Sequence, residues 1–176
     1  MKKTNTLVIA SLLASLTCIA TTFFKINTPP NGYIHLGDGF VLLSGALLGP
    51  YVGGLAAGTG SMLADIFSGY AAYAPATFII KALAALTCGF IYQKLIKNII
   101  IGGILGEIIV IAGYFLYDTF LKLSSIGEWN HTAFSTALLS TLPTIPLNCI
   151  QGIVGIVITV ILLPIVNRFY KSYTSQ

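Results

Sequence analysis

The sequence predicts an all-α integral membrane protein with six transmembrane helices. The chain has 176 residues, of which 56% are hydrophobic and 8% are charged, whereas a soluble domain carries about 25% charged residues. Long apolar runs alternate with short polar segments, and at about 20 residues per crossing six spans use most of the chain. We therefore expect one membrane domain over residues 1–176, without a second domain.

Breaks in the apolar runs place the six spans. The segment KINTPPNG is typical of a loop after the first span. Gly49-Pro50 separates the second span from the third, because proline cannot continue a helical hydrogen-bond ladder. Pro143 and Pro146 predict a kink or break within the last span. The expected spans cover residues 4–24, 36–48, 51–67, 76–92, 99–120 and 133–166.

The first span has a basic start and an apolar middle, which is also typical of a cleavable signal peptide. A retained span is the simpler interpretation, because the rest of the chain is equally apolar. With the N-terminus inside, six of the nine Lys and Arg residues lie inside and two lie outside, while Lys81 lies within a span. The positive-inside rule favours this arrangement, so we expect both termini to be cytoplasmic.

Small residues are concentrated in the second and third spans, where Gly45, Gly49 and Gly53 recur every four residues. Small residues let membrane helices approach closely, so these two short spans are expected to form a tightly packed hairpin. Ala10 and Ala14 form a similar small-residue face on the first span. The alternative is that small residues are simply common in membrane helices.

One carboxylate lies near the middle of a span. Ionisable residues inside a membrane are costly and are therefore candidate functional residues. Glu107 lies in the fifth span and shares a helical face with Tyr114 and Asp118. This face is expected to line a pocket that opens to the outside. The alternative is a buried carboxylate that pairs with another span for structural reasons.

Further polar residues occur in the third, fourth and sixth spans. Asn148 and Gln151 are three residues apart and share a face of the last span. Their amides could contact a ligand or join helices by hydrogen bonds. Lys81 and Asp65 lie near the outer ends of the fourth and third spans, and we expect them to form a structural ion pair.

The outer loops contain additional candidates. His35 and Asp38 lie where the first outer loop enters the second span. Loops over an outward pocket often supply lids, so these two residues are expected at the lid or rim. Trp129 lies in the last outer loop, where a tryptophan is often a membrane anchor.

Motifs of several function classes are absent from the sequence. It contains no GxxxxGK[ST] phosphate loop, no HExxH or GxSxG motif, and no Cys/His set with metal-ligand spacing. The three cysteines lie far apart in apolar runs, and the net charge of +4 is scattered. We therefore expect no enzymatic activity, no cofactor, no bound metal and no nucleic-acid partner.

The run HLGDGFVLLSGALLGPYVGGLAAGTGSMLADIFSGYAAYAPATFIIKALAALTCGF resembles the substrate-binding S components of energy-coupling-factor (ECF) vitamin transporters. The likeness extends to GYxxYAPxTxIIK, to GE in the fifth span and to PxNxxQ in the sixth. It is strongest to the branch linked to hydroxymethylpyrimidine, a thiamine precursor, and to pyridoxine-type B6 vitamers. The stretch ASLLA at residues 10–14 is similar to the AxxxA face by which such components dock on a partner.

This resemblance implies a six-helix subunit in the plasma membrane of a prokaryote. It implies capture of a vitamin from outside and docking on a transmembrane coupling subunit that carries two cytoplasmic ATPases. ATP hydrolysis would then topple the S component in the bilayer and deliver the vitamin inside. The implied docking residues are Ala10 and Ala14. The implied ligand contacts are Glu107, Tyr114, Asn148 and Gln151, with His35 and Asp38 at the lid or rim.

Two other function classes remain open at this point. A proton-coupled secondary transporter of a small polar aromatic solute would use Glu107 as its proton carrier and would need no partner ATPases. A membrane-embedded enzyme would need a nucleophile or a paired acid and base at one depth. Glu107 together with Asn148 and Gln151 is poor in nucleophiles, which counts against the enzyme.

Overall fold

The structure, a computed structural model, describes residues 3–28 and 32–174. The helices of this part of the chain are α1 (Lys3–Phe23), α2 (Gly37–Leu48), α3 (Pro50–Phe67), α4 (Ala74–Phe90), α5 (Ile99–Ile126), α6 (His131–Thr141) and α7 (Thr144–Thr174). A π-helical turn, Ile91–Leu95, continues α4. Strands β1 (Lys25–Thr28) and β2 (Gly32–His35) pair as an antiparallel hairpin between α1 and α2. The predicted all-α bundle is confirmed, with each predicted span on a helix and the last span divided between α6 and α7.

Four helical segments of the described chain are long and apolar enough to cross a membrane. They are Thr4–Phe23, Ala74–Leu95, Ile99–Ile126 and His131–Phe169. The apolar helix α2 is shorter, at 12 residues, and nearly all of it is buried in the bundle. The chain is therefore a multi-pass membrane protein in which α2 is a core element covered by its neighbours.

The break predicted near Pro143 is confirmed. Helix α6 ends at Thr141, and Pro143 lies in the turn before α7 begins at Thr144. The Thr144 hydroxyl donates to the carbonyl of Thr141 over 2.8 Å. This side chain satisfies a carbonyl that the interrupted helix leaves without its usual partner.

Two loop predictions were wrong in part. The expected spans left residues 121–132 as a loop, but α5 continues as far as Ile126, because no helix breaker occurs before Gly127, which has a positive φ of 76°. In KINTPPNG, the residues Lys25–Thr28 form β1 and pair with Gly32–His35. Residues 29–31, which include both prolines of this loop, lie outside the described residues.

The core is built around α2, which packs against α1, α3, α4 and α7. Glycines bring the helix backbones into direct contact. A Cβ atom added at Gly53 would overlap the carbonyl of Ser44, and one added at Gly45 would overlap the carbonyl of Ala85. The predicted close packing of α2 on α3 is confirmed, and the same contact extends to α4. Gly49, with a φ of 82°, makes the turn between α2 and α3.

We predict that Gly45→Val strongly destabilises the fold. Its side chain would collide with the carbonyl of Ala85, which is helical backbone and cannot move aside. Overpacking of this kind costs about 1–3 kcal/mol or more. Thermal unfolding in detergent measures the loss. Ala112→Val, at an exposed position of α5, is the matched control and should unfold like the wild type; equal stability of the two variants would contradict the backbone contact.

Candidate functional site

Polar side chains from three helices and the hairpin meet inside the otherwise apolar bundle. Asp38 lies at the start of α2, Lys81 two turns into α4, Gln151 two turns into α7, and His35 at the end of β2. Asp38 and Lys81 are fully buried, while Gln151 and His35 are 4% and 9% exposed. We call these four residues the polar cluster.

An ion pair lies at the centre of the polar cluster. The Nζ atom of Lys81 donates to Oδ1 of Asp38, and neither side chain is exposed. The predicted pairing of Lys81 with Asp65 was therefore wrong. The reason is the face of α4 on which Lys81 lies: Cys88, two turns further on the same face, donates to the carbonyl of Leu42 in α2. This face is directed at α2, so Lys81 meets the first turn of α2 instead of the end of α3.

Both the nitrogen and the oxygen of the Gln151 side-chain amide form hydrogen bonds. Its Nε2 donates to Oδ2 of Asp38 over 2.7 Å, and its Oε1 accepts from the backbone N–H of His35 over 2.9 Å. The amide that the sequence suggested as a ligand contact thus joins α7 to α2 and to the hairpin. Gly155, one turn further along α7, makes this approach possible, because a Cβ atom there would lie 2.8 Å from Cβ of Asp38.

His35 and Asp38, which the sequence predicts at the lid or rim of the pocket, are buried members of the polar cluster. His35 Nδ1 accepts from the backbone N–H of Gly37 over 3.0 Å. Burial lowers the pKa of His35 to about 4, although Asp38 acts to raise it and Lys81 to lower it further. The imidazole is therefore neutral at neutral pH, and the polar cluster carries one positive and one negative charge.

Glu107 lies beside the polar cluster and is 3% exposed. Neither of its carboxyl oxygens has a hydrogen-bond partner in the described part of the chain. Helix α7 approaches it closely at Gly152, where an added Cβ atom would lie 2.9 Å from Oε2. A buried polar group without a partner is costly, so the Glu107 carboxyl, beside the polar cluster, has unused hydrogen-bonding capacity.

Tyr114 lies on the same face of α5 as Glu107, as the sequence predicted. Its ring centroid is 5.2 Å from Nζ of Lys81, a cation–π contact, and its hydroxyl hydrogen-bonds Oγ1 of Thr77 over 3.0 Å. Further along this face, Oδ1 of Asp118 accepts from the Tyr73 hydroxyl over 2.8 Å. The predicted polar face of α5 is thus formed, but much of it contacts α4.

Asn148 is half-buried and lies three residues before Gln151 on α7. Of the predicted ligand contacts, Glu107, Tyr114 and Gln151 are thus brought around Lys81 and Asp38, and Asn148 lies along the same side of α7. Sequence reasoning missed Thr77, although its four-residue spacing from Lys81 places both on one face of α4.

The small-residue face of α1 is partly covered. Ala10 and Ala14 are both half-buried. A Cβ atom added at Gly60 of α3 would overlap the carbonyl of Ala14. The backbone of Ala14 therefore packs on α3, while Ser11 and Ser15 beside it are exposed.

Comparison with known proteins identifies relatives over most of the chain. A family model described as "ECF-type riboflavin transporter, S component" matches residues 1–168. An "Uncharacterized protein in gap 3'region" of Pyrococcus woesei is 37% identical over 100 residues, which are 54% of this chain and 66% of that protein. The "Folate transporter FolT" of Clostridium novyi (strain NT) is 27% identical over 155 residues, 85% of this chain and 87% of that protein.

A solved structure has the same fold. It is described as "Structure and mechanism of the S component of a bacterial ECF transporter". It is 25% identical to this chain, and it matches with a TM-score of 0.73 over 97% of this chain and 99% of its own. The fold is therefore shared along nearly the full length of both chains.

We predict that Lys81→Met destabilises the fold by about 3–5 kcal/mol, because it leaves the buried Asp38 carboxylate without its cation. The double variant Lys81→Met/Asp38→Asn should be more stable than Lys81→Met by at least about 2 kcal/mol in the free energy of unfolding, since the uncompensated charge is then removed. Unfolding in detergent measures all three proteins. Lys81→Met combined with Asp65→Asn is the control, and recovery in that variant would contradict the pairing described above.

Proposed function

The chain belongs to the family of ECF-type riboflavin transporter S components, and on this premise we propose that it captures a small vitamin or vitamin precursor at Glu107. ECF S components are transport subunits and not enzymes; they bind a vitamin and work with a membrane coupling subunit and ATPases. Membership favours an ATP-driven importer over a proton-coupled secondary transporter. The observation that carries the proposal is the buried Glu107 carboxyl, whose two oxygens lack partners in the described chain.

The end of the bundle that carries the hairpin is proposed to face outward. The Lys and Arg residues of the sequence favour cytoplasmic termini, which places the turn at Gly49-Pro50 inside and the β1–β2 hairpin outside. A ligand would then reach Glu107 from the hairpin end. The proposed location is the plasma membrane of a prokaryotic cell.

The chemistry of the site favours hydroxymethylpyrimidine or a pyridoxine-type B6 vitamer. Both are small rings with amino or hydroxyl donors that a carboxyl group can accept. The family model names riboflavin and one relative names folate, so both are competing ligands. The flavin ring system is larger than either small ring and would need more space beside Glu107, where helix α7 approaches closely at Gly152. Folate carries two carboxylates, and the cation of the polar cluster, Lys81, is already paired with Asp38.

We predict that the purified chain binds one of the two small rings without its partners. Glu107→Ala should weaken this binding at least about 100-fold, because the ligand loses a strong buried hydrogen-bond partner. Calorimetric titration with hydroxymethylpyrimidine, pyridoxine, riboflavin and folate measures the affinities. Asp118→Asn, which changes another carboxyl of α5 that is bonded to Tyr73, is the control.

Two outcomes would contradict different parts of this proposal. Tight binding of riboflavin or folate, with neither small ring bound, would overturn the ligand and leave the family role intact. Unchanged affinity in Glu107→Ala would show that the ligand lies elsewhere in the bundle.

We further propose that the face of Ala10 and Ala14 docks on the coupling subunit. Its support is the pair of half-buried alanines four residues apart, flanked by exposed Ser11 and Ser15, because such a face lets a partner helix approach closely.

We predict that Ala10→Trp reduces co-purification with the coupling subunit and its ATPases, since the indole holds the partner helix away. Ligand binding by the isolated chain should be unchanged. Ala112→Trp, on the exposed side of α5, is the matched control, and equal loss of the complex in both variants would contradict a specific docking face.

A further inference from the structure

The groups around Glu107 have no net charge when Glu107 itself is left out. Lys81 is paired with Asp38, and His35 is neutral. The titratable groups that interact with Glu107 are Asp38 from α2 and Lys81 and Cys88 from α4. Tyr114 lies two turns further along the same face of α5 and contacts Lys81, and His35 interacts with Asp38 and Lys81. Helix α7 contributes only uncharged residues on this side, among them Gly152 and Gln151. No cation of the described cluster is left to compensate an ionised Glu107.

An ionised carboxylate without a partner is very costly in an apolar interior, and such a group becomes neutral instead. The membrane makes this cost larger, because no bulk water lies beside the bundle. A neutral carboxylic acid differs from a carboxylate in what it can bind. It has one O–H donor and one carbonyl acceptor, whereas the carboxylate only accepts.

We propose that Glu107 binds its ligand as a neutral acid, through one donated and one accepted hydrogen bond. This inference rests on the proposed function and narrows its ligand. One complementary edge is a ring nitrogen, which accepts the O–H, beside an amino group, which donates to the other oxygen. Hydroxymethylpyrimidine has this edge, but pyridoxine does not. The complex carries no new charge, and both oxygens of Glu107 gain the partners that they lack in the described protein.

Glu107→Gln separates this arrangement from binding by an ionised carboxylate. The glutamine amide has nearly the same shape as the neutral acid and also offers a donor and an acceptor. It should therefore form the same two hydrogen bonds to the ligand. We expect Glu107→Gln to bind hydroxymethylpyrimidine within about threefold of the wild type near neutral pH. A carboxylate that accepts two hydrogen bonds would not be replaced by an amide, and binding would then fall.

The pH dependence is the second measurement. In the wild type, Kd should rise about tenfold per pH unit once Glu107 ionises in the empty site, because binding then requires uptake of one proton. Calorimetry in buffers of different ionisation enthalpy should count close to one proton per ligand on this limb. In Glu107→Gln the profile should be flat. That flatness excludes Lys81, Cys88 and Tyr114 as the source of the wild-type slope.

The possible failures are distinguishable. Wild-type protein that does not bind hydroxymethylpyrimidine overturns the proposed ligand and this inference together. If Glu107→Gln folds but binds hydroxymethylpyrimidine about 100-fold more weakly than the wild type, only the inference of a neutral acid is overturned. Should Glu107→Gln fail to fold, the wild-type profile decides: a Kd that falls as the pH rises, with a proton released on binding, would show that Glu107 binds as a carboxylate.

Discussion

The buried ion pair between Lys81 and Asp38 is the interaction on which the site depends. The attraction between two buried charges offsets the cost of their desolvation only when the geometry is good and the remaining polar atoms form further hydrogen bonds. Here Gln151 donates to the second carboxylate oxygen, and the ring of Tyr114 lies 5.2 Å from the ammonium group. Four helices, α2, α4, α5 and α7, thus contribute to one compensated pair. Their relative positions cannot change independently without exposing a charge to apolar surroundings.

Glycine makes this convergence possible. Helix α2 must be surrounded on several sides for Asp38 to be buried, and Gly45 and Gly53 let α4 and α3 reach its backbone. On the remaining side, Gly152 and Gly155 of α7 give room to the carboxyl groups of Glu107 and Asp38. The glycines that weaken these helices as isolated segments therefore determine how deeply the charged groups can lie.

Much of the architecture could be predicted from the sequence. Apolar length predicted the helices, and Pro143 predicted the division of the last one into α6 and α7. The four-residue glycine spacing predicted the contact of α2 with α3. The partner of Lys81 could not be predicted, because depth alone allowed both Asp38 and Asp65, and the choice depends on which face of α4 is directed at α2. The role of Gln151 could not be predicted either, because its partners, Asp38 and the backbone of His35, are more than a hundred residues away in the chain.

The hairpin shows a different limit of sequence reasoning. Prolines and short polar residues are typical of a loop, and they gave no sign that Ile26 pairs with Ile34. That pairing matters for the site, because the backbone of His35 at the end of β2 is bonded to Gln151. The hairpin, the ion pair and α7 therefore form one connected network. Since that network is neutral as a whole, a neutral ligand at Glu107 could enter and leave without adding a net charge to the interior of the bundle.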